Sequence, residues 1–231
     1  PEFGLAFDVA LHVGTLAAIF AFFRVEIIAM IHALPRLFTP EPAEPVIMMR
    51  LIAVGTIPVV IVGLTFNDFI EQVLRTPAVA AGALAFGAVL MLVAERTGSQ
   101  TRTENRMSWL DAILVGCAQA SALIPGMSRS GSTISIGMFL GLRREAAARF
   151  TFLLAIPAMI AAAAKEALEL RHAQLPPDSA SFIIVGVLVS GIVGYLTIKY
   201  FLRFLVTNRL DVFAAYRLLL AGATVVWLVR Q

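Results

Sequence analysis

The sequence predicts an all-α polytopic membrane protein, with six transmembrane helices plus a re-entrant helical hairpin, built as an inverted-topology repeat of three spans per half. Three observations lead there. The 231 residues are 59% hydrophobic and only 14% charged, against about 45–50% and about 25% in a soluble domain. The apolar residues run in blocks close to the ~20 that cross a bilayer as a helix. The charges stand singly at the edges of those blocks, where they act as topology signals, so the net charge of +3 gives no case for a nucleic-acid partner. No room is left for a separate soluble domain, and residues 1–231 read as one integral membrane domain. The lone cysteine, Cys117, excludes an internal disulfide and fits no metal-ligand spacing.

Taken in order, the expected spans are Leu5 to Phe23, Leu51 to Phe66, Ala78 to Ala94, Phe150 to Ala164, Phe182 to Phe201 and Val212 to Val229. Between the third and fourth, Trp109 to Leu142 is apolar but broken by Ile124-Pro125-Gly126-Met127-Ser128-Arg129-Ser130-Gly131-Ser132-Thr133. Two short arms around such a break predict a re-entrant hairpin over 109–142, whose irregular backbone needs protein or a watery cavity around it. If the hairpin returns to the side it left, the Lys and Arg residues sort by side. Most of those from Arg24 to Arg209 fall together, and only Arg75, Lys165, Arg171 and Arg230 fall opposite. The richer side is then cytoplasmic, and the chain ends outside.

The two halves, residues 1–95 and 109–231, echo each other. Gly55 and Gly63 pair with Gly186 and Gly194, and Gly87-Ala88 with Gly222-Ala223, as expected where small residues let helices approach. Three spans per half is an odd number, so the halves are inverted relative to one another. The second half is preceded by the hairpin, and by symmetry a matching hairpin is expected before Phe7.

The break is the dense polar cluster inside an apolar segment. Gly126 and Gly131 allow close approach, Ser128, Ser130, Ser132 and Thr133 supply hydroxyls, and Arg129 supplies a fixed charge. Ile134 to Leu142 reads as helix, which puts the cluster at a helix N-terminus with backbone N–H groups open to an anion. A guanidinium there adds bidentate recognition of phosphate oxygens. The plainer alternative, small residues for packing and a snorkelling Arg129, is disfavoured by the cost of at least ~2.5 kcal/mol for placing Arg in mid-membrane.

The string Pro125-Gly126-Met127-Ser128-Arg129-Ser130-Gly131-Ser132-Thr133 and upstream Gly116-Cys117-Ala118-Gln119 carry a resemblance. With Phe150-Thr151-Phe152-Leu153-Leu154-Ala155-Ile156-Pro157 and Ala215-Tyr216-Arg217 downstream, the chain resembles the bacterial undecaprenyl-diphosphate phosphatase family, also called the bacitracin-resistance protein family. The resemblance implies a multi-pass enzyme of the bacterial inner membrane. Its implied reaction removes the terminal phosphate of the prenyl diphosphate lipid, recycling the carrier for cell-wall synthesis. Arg129, Ser128, Ser130 and Thr133 are then the catalytic candidates, with Gly126, Gly131 and Ser132 binding substrate. A divalent cation, Mg or Ca, is implied to assist. The acids that hold it, and the nucleophile or base, belong in the family to an N-terminal hairpin with a Glu-rich stretch, and none occurs in these residues. On this reading that segment precedes Pro1, and residues 1–231 alone are expected to be inactive.

Among other polar residues, Asp8 and His12 lie one helical turn apart and read as a hydrogen-bonded pair. Arg217, inside the last span, is a functional candidate by default but reads as a structural cation able to snorkel, and Glu95, Asp68 and Glu71 read as interfacial or solvated charges at span ends. His32 and His172 read as loop residues. The competing function is a transporter or lipid flippase for a phosphorylated prenyl lipid, since inverted repeats and broken helices also build secondary transporters. A soluble-type acid phosphatase is disfavoured, because no Pro-Ser-Gly-His segment accompanies Ser128-Arg129. The oligomeric state stays open, a homo-oligomer included.

The charge sorting yields a direct test. In a Cys117→Ala background, a cysteine at Gln231 should be labelled from outside and one at Ser99 should not. The reverse pattern overturns the orientation.

Overall fold

The computed structural model describes residues 2–39, 43–169 and 179–230. Arg171, His172 and Gln231 lie outside them. The helices are α1 (Glu2–Phe22), α2 (Arg24–Ala33), α3 (Glu44–Thr65), the single-turn α4 (Asn67–Phe69), α5 (Pro77–Thr97), α6 (Trp109–Ser121), α7 (Arg129–Phe139), α8 (Arg144–Glu169), α9 (Ser179–Thr207) and α10 (Asp211–Val229). Among the described residues no strand forms, apart from an isolated bridge between Arg102 and Leu142.

Helices α3, α5, α8, α9 and α10 are each long and apolar enough to cross a bilayer. The pair α1 and α2 passes the same test when taken together, but it is bent by 82° at Phe23, a fully buried side chain. His32, expected in a loop, therefore lies in the last turn of α2. Helix α8 also begins at Arg144, six residues ahead of the apolar run expected from Phe150. Helix α5 starts where its sequence dictates. Thr76 caps it by accepting the Val79 N–H at 3.3 Å, and Pro77, which has no N–H to satisfy, opens the first turn.

The chain divides into two compact units, each drawing on both sequence halves. One comprises residues 1–46 and 155–203. Within it, α1 meets α9 through small residues. A Cβ on Gly14 would overlap the Ser190 hydroxyl and the Val187 carbonyl, and Ser190 Oγ donates to the Leu11 carbonyl at 3.2 Å. Such close backbone approach is how helices associate where lipid removes the hydrophobic driving force. His12 Nδ1 lies 3.0 Å from Glu166 Oε2 on α8. The expected pairing with Asp8 does not form, because the α8 carboxylate takes the imidazole and leaves Asp8 exposed.

The other unit comprises residues 47–154 and 204–231. Here α10 packs along α5, and the α6–α7 hairpin folds against α5. Helix α6 crosses α3 at two glycines, where a Cβ on Gly116 would overlap the Gly55 carbonyl. The base of the hairpin is clamped by Arg102, which donates to the Leu140 carbonyl at 2.6 Å and to Asp111 Oδ2 at 2.7 Å. Asp111 also closes a capping box with Ser108 at the start of α6.

Glu95 departs from expectation. Its side chain is wholly buried, with Arg144 Nε and Nη2 at 2.7 and 2.6 Å, Arg209 Nε at 3.6 Å and the Leu210 N–H at 2.8 Å. A span-end acid looks solvated in sequence because both arginines are far along the chain, and folding returns them to it. Asp68 and Glu71 are exposed, as charges at a span end should be.

Removing the buried acid should expose the difference. Glu95→Gln removes the charge bonded to Arg144 and leaves Asp211 as its remaining acidic neighbour, at a cost of up to roughly 3–5 kcal/mol. Glu145→Gln, in the more exposed pair with Arg143 at 3.4 Å, should cost less than about 1 kcal/mol. Heat denaturation in detergent compares the two, and equal shifts would return Glu95 to the solvated charges.

Candidate functional site at the hairpin tip

The break in the apolar run forms the tip of the hairpin. Helix α6 ends at Ser121, residues 122–128 turn, and α7 begins at Arg129 rather than at Ile134, so Arg129 to Thr133 form its first turns. Ser128 is the N-cap, and its Oγ accepts the Gly131 N–H at 3.1 Å. A serine followed by Arg-Ser-Gly caps well because its short side chain reaches back to an N–H that has no helical carbonyl. Gly126 has a φ of +88°, a conformation that glycine adopts without strain, and a Cβ there would overlap the Ala80 carbonyl on α5.

The expected site residues separate into two groups. Arg129 is exposed at the helix start, with Ser128 and Ser130 half-buried beside it and their hydroxyl oxygens 3.4 Å apart. These three share the tip and can donate to one anion in front of the positive end of α7. Thr133 is fully buried and its hydroxyl is engaged: it donates to the Arg129 carbonyl at 2.8 Å and accepts from Thr151 Oγ1 of α8 at 2.9 Å. It therefore holds α7 and the Arg129 backbone, and faces α8 rather than the tip. Ser132 is also buried, and its Oγ has no hydrogen-bond partner among the described residues.

Arg217 was read from the sequence as able to snorkel, and it does not. It is 5% exposed and donates to the carbonyls of Leu84 at 3.3 Å, Ala83 at 3.2 Å and Gly126 at 3.1 Å. Gly87 and Gly131 border its guanidinium so closely that a Cβ on Gly87 would overlap it. The group therefore joins α10 and α5 to the hairpin tip and adds a fixed positive charge beneath the first turn of α7. A cation inside an apolar span was the signal for it, since such a residue is functional by default. In the sequence Thr151 and Gln119 stand only as members of the strings that carry the resemblance, and Ser135 stands in none. Like Ser132 Oγ, Gln119 Oε1 and Ser135 Oγ are buried without partners among the described residues, and ordinary helical polar residues give no sequence signal of that.

Among the described residues, no group of three or more His, Cys, Asp or Glu could hold a metal ion. The tip residues thus do not fit the role of ligands to the expected divalent cation. They fit an oxyanion.

Comparison with known proteins bears on which oxyanion. The family model described as bacitracin resistance protein BacA matches residues 1–223. An undecaprenyl-diphosphatase of Rubrobacter xylanophilus is 41% identical over 226 residues, covering 96% of this chain and 82% of that protein. An undecaprenyl-diphosphatase 2 of Stutzerimonas stutzeri is 42% identical over 227 residues, covering 96% and 84%. One of Nitrosococcus oceani is 41% identical over 221 residues, covering 95% and 83%.

The shared hydroxyl bond predicts coupling. Thr133→Val and Thr151→Val should each lower stability, and the double variant should lose about 0.5–1.5 kcal/mol less than their sum. Thermal midpoints of the four proteins give the cycle, and strict additivity would separate the two hydroxyls.

Proposed function

Because this chain belongs to the bacitracin resistance protein BacA family, we propose that it is a membrane phosphohydrolase that converts undecaprenyl diphosphate to undecaprenyl phosphate. That reaction recycles the cell-wall carrier lipid and confers resistance to bacitracin. The enzyme is a multi-pass protein of the bacterial inner membrane, with apolar helices of spanning length. Its C-terminus lies outside, a reading supported by the lopsided distribution of Lys and Arg. The inverted relation of residues 1–95 and 109–231 belongs to the same reading.

The observation that carries the site assignment is Arg129 at the N-terminus of α7, next to two hydroxyls on a broken re-entrant helix. Phosphoryl transfer asks the protein mainly for positioning and for stabilisation of charge on the phosphate oxygens. Arg129 presents a planar fork that matches two of those oxygens. Ser128 keeps its proton available while its oxygen caps the helix, so it donates to the terminal phosphate without releasing the Gly131 N–H. Ser130 donates beside it, and Gly126, Gly131 and Ser132 shape the turn that brings the lipid headgroup near. Thr133 serves through the Arg129 carbonyl it binds. Together these groups hold the departing phosphate and bear its developing charge.

Arg129→Lys in the full-length protein keeps the charge and loses the fork. Phosphate release from undecaprenyl diphosphate should fall about 10²–10³-fold, as when a transition-state donor is removed. Ser128→Asp should preserve the cap and therefore the melting temperature, while its negative charge repels the diphosphate and abolishes turnover. Near-normal turnover by Arg129→Ala would reduce the motif to scaffolding and favour the transporter reading.

A further inference from the structure

A cleft of about 750 Å³ opens between α3 and α6, inside the unit that contains the hairpin tip. It lies beside the crossing of the two helices. The helices touch at Gly55 and Gly116, and the cleft lies along Ile57, Pro58 and Ile61 on α3 and Cys117 and Ala120 on α6. Pro58 sits inside α3, where it cannot donate to the carbonyl four residues back and so favours a bend. Phe66, Phe69, Ile70 and Leu74 complete the lining. They come from the turn after α3, where α4 gives way to a π-helical stretch over Ile70–Leu74, a form that occurs often at functional sites.

The cleft offers almost no polar chemistry. The Ser121 hydroxyl is occupied within its own helix, donating to the Ala118 carbonyl at 2.7 Å, and the thiol of Cys117 is a weak donor. The volume lies in the range of roughly 300–1,000 Å³ usual for small-molecule sites. Its position says what occupies it. The lining runs to Ser121 and Ile124, and Ile124 is followed directly by Pro125-Gly126 and then by the N-cap Ser128. A ligand whose phosphate meets Ser128 and Arg129 would have this apolar cleft, whose lining ends four residues earlier in the chain, available for its hydrocarbon.

We propose that the α3–α6 cleft binds the phosphate-proximal prenyl units of the substrate, making it the site that selects a prenyl chain. This rests on the function proposed above, and it adds the part of the enzyme that reads the lipid tail. The shape suits a stiff, methyl-branched chain, because the wall is built of branched and aromatic side chains rather than of polar groups. The remainder of a long chain stays in the bilayer.

Two measurements test it. A farnesyl diphosphate carrying a diazirine on its second prenyl unit, photolysed with the protein in detergent, should attach to peptides containing Ile57–Ile61 or Cys117–Ile124. Excess farnesyl monophosphate should suppress these adducts. Adducts spread over outward faces, such as that of Leu219 on α10 (75% exposed), or adducts that farnesyl monophosphate does not compete, would mean that ordinary lipid fills the cleft, and would overturn the proposal. In the full-length enzyme, Ile61→Trp and Cys117→Phe should lower the ratio of kcat/KM for farnesyl over isopentenyl diphosphate about tenfold. Leu219→Trp should leave it unchanged. A ratio unmoved by both cleft variants also overturns it. The photolysis needs no turnover, so the two readings fail separately. Competed adducts without phosphate release by the full-length enzyme would retain the cleft and sink the hydrolase, whereas phosphate release by it with scattered adducts would sink only the cleft.

Discussion

A guanidinium inside an apolar helix must find oxygen atoms, and the way Arg217 does so constrains the unit that carries the hairpin. Water is absent from the hydrocarbon core, so each of its N–H groups left unbonded would carry a large desolvation cost. Three of its five are taken by backbone carbonyls, Nε by Leu84 and Nη2 by Ala83 and Gly126. Two belong to α5 and one to the hairpin tip, so one side chain sets where the tip stands against α5 and α10. The space it occupies exists because Gly87 and Gly131 have no side chains to fill it. Glycines that look like generic packing residues in the sequence are therefore part of one electrostatic arrangement.

The hairpin is held at three levels by three different interactions. At its base Arg102 bonds both the start of α6, through Asp111, and the end of α7, through the Leu140 carbonyl. Along its side the Thr151 hydroxyl bonds that of Thr133, fixing α7 to α8. At its tip Arg217 takes the Gly126 carbonyl. Irregular backbone at membrane depth survives only where such partners exist, and the tip also closes on itself through Ile124 N–H to the Ser121 carbonyl and Met127 N–H to the Ile124 carbonyl. With its scaffold immobilised in this way, Arg129 can present its charge at a fixed place, which is what electrostatic stabilisation of a transition state requires.

Charge in this protein is handled by depth. The Arg143 and Glu145 pair is partly exposed and weakly committed, whereas Glu95 is enclosed by Arg144, Arg209 and the Leu210 N–H. The same residue type thus serves solubility at one position and joins α5, α8 and the start of α10 at another. His12 and Glu166 make a comparable tie between α1 and α8. At the tip the polar groups named are hydroxyls, backbone N–H groups and guanidinium.

The sequence by itself determined the features that depend on local free energy. Apolar runs of spanning length, the break at Pro125-Gly126, and a cation among hydroxyls can all be read residue by residue, because each reflects transfer into lipid or backbone freedom within one segment. Family membership was legible for a related reason: the string around Arg129 is dense and contiguous. The start of α7 was misplaced by five residues, since Ser and Gly read as breakers until Ser128 is seen to cap the helix they begin. Tertiary structure alone decided which hydroxyls face the tip and which face α8, that Arg217 turns inward rather than snorkelling, that Glu95 is buried, and that His12 chooses Glu166 over Asp8. It also decided that a cleft opens beside the crossing of α3 and α6 at Gly55 and Gly116. Those outcomes hinge on partners from 18 to 154 residues away, and no local pattern encodes a partner whose proximity is created only when the helices pack.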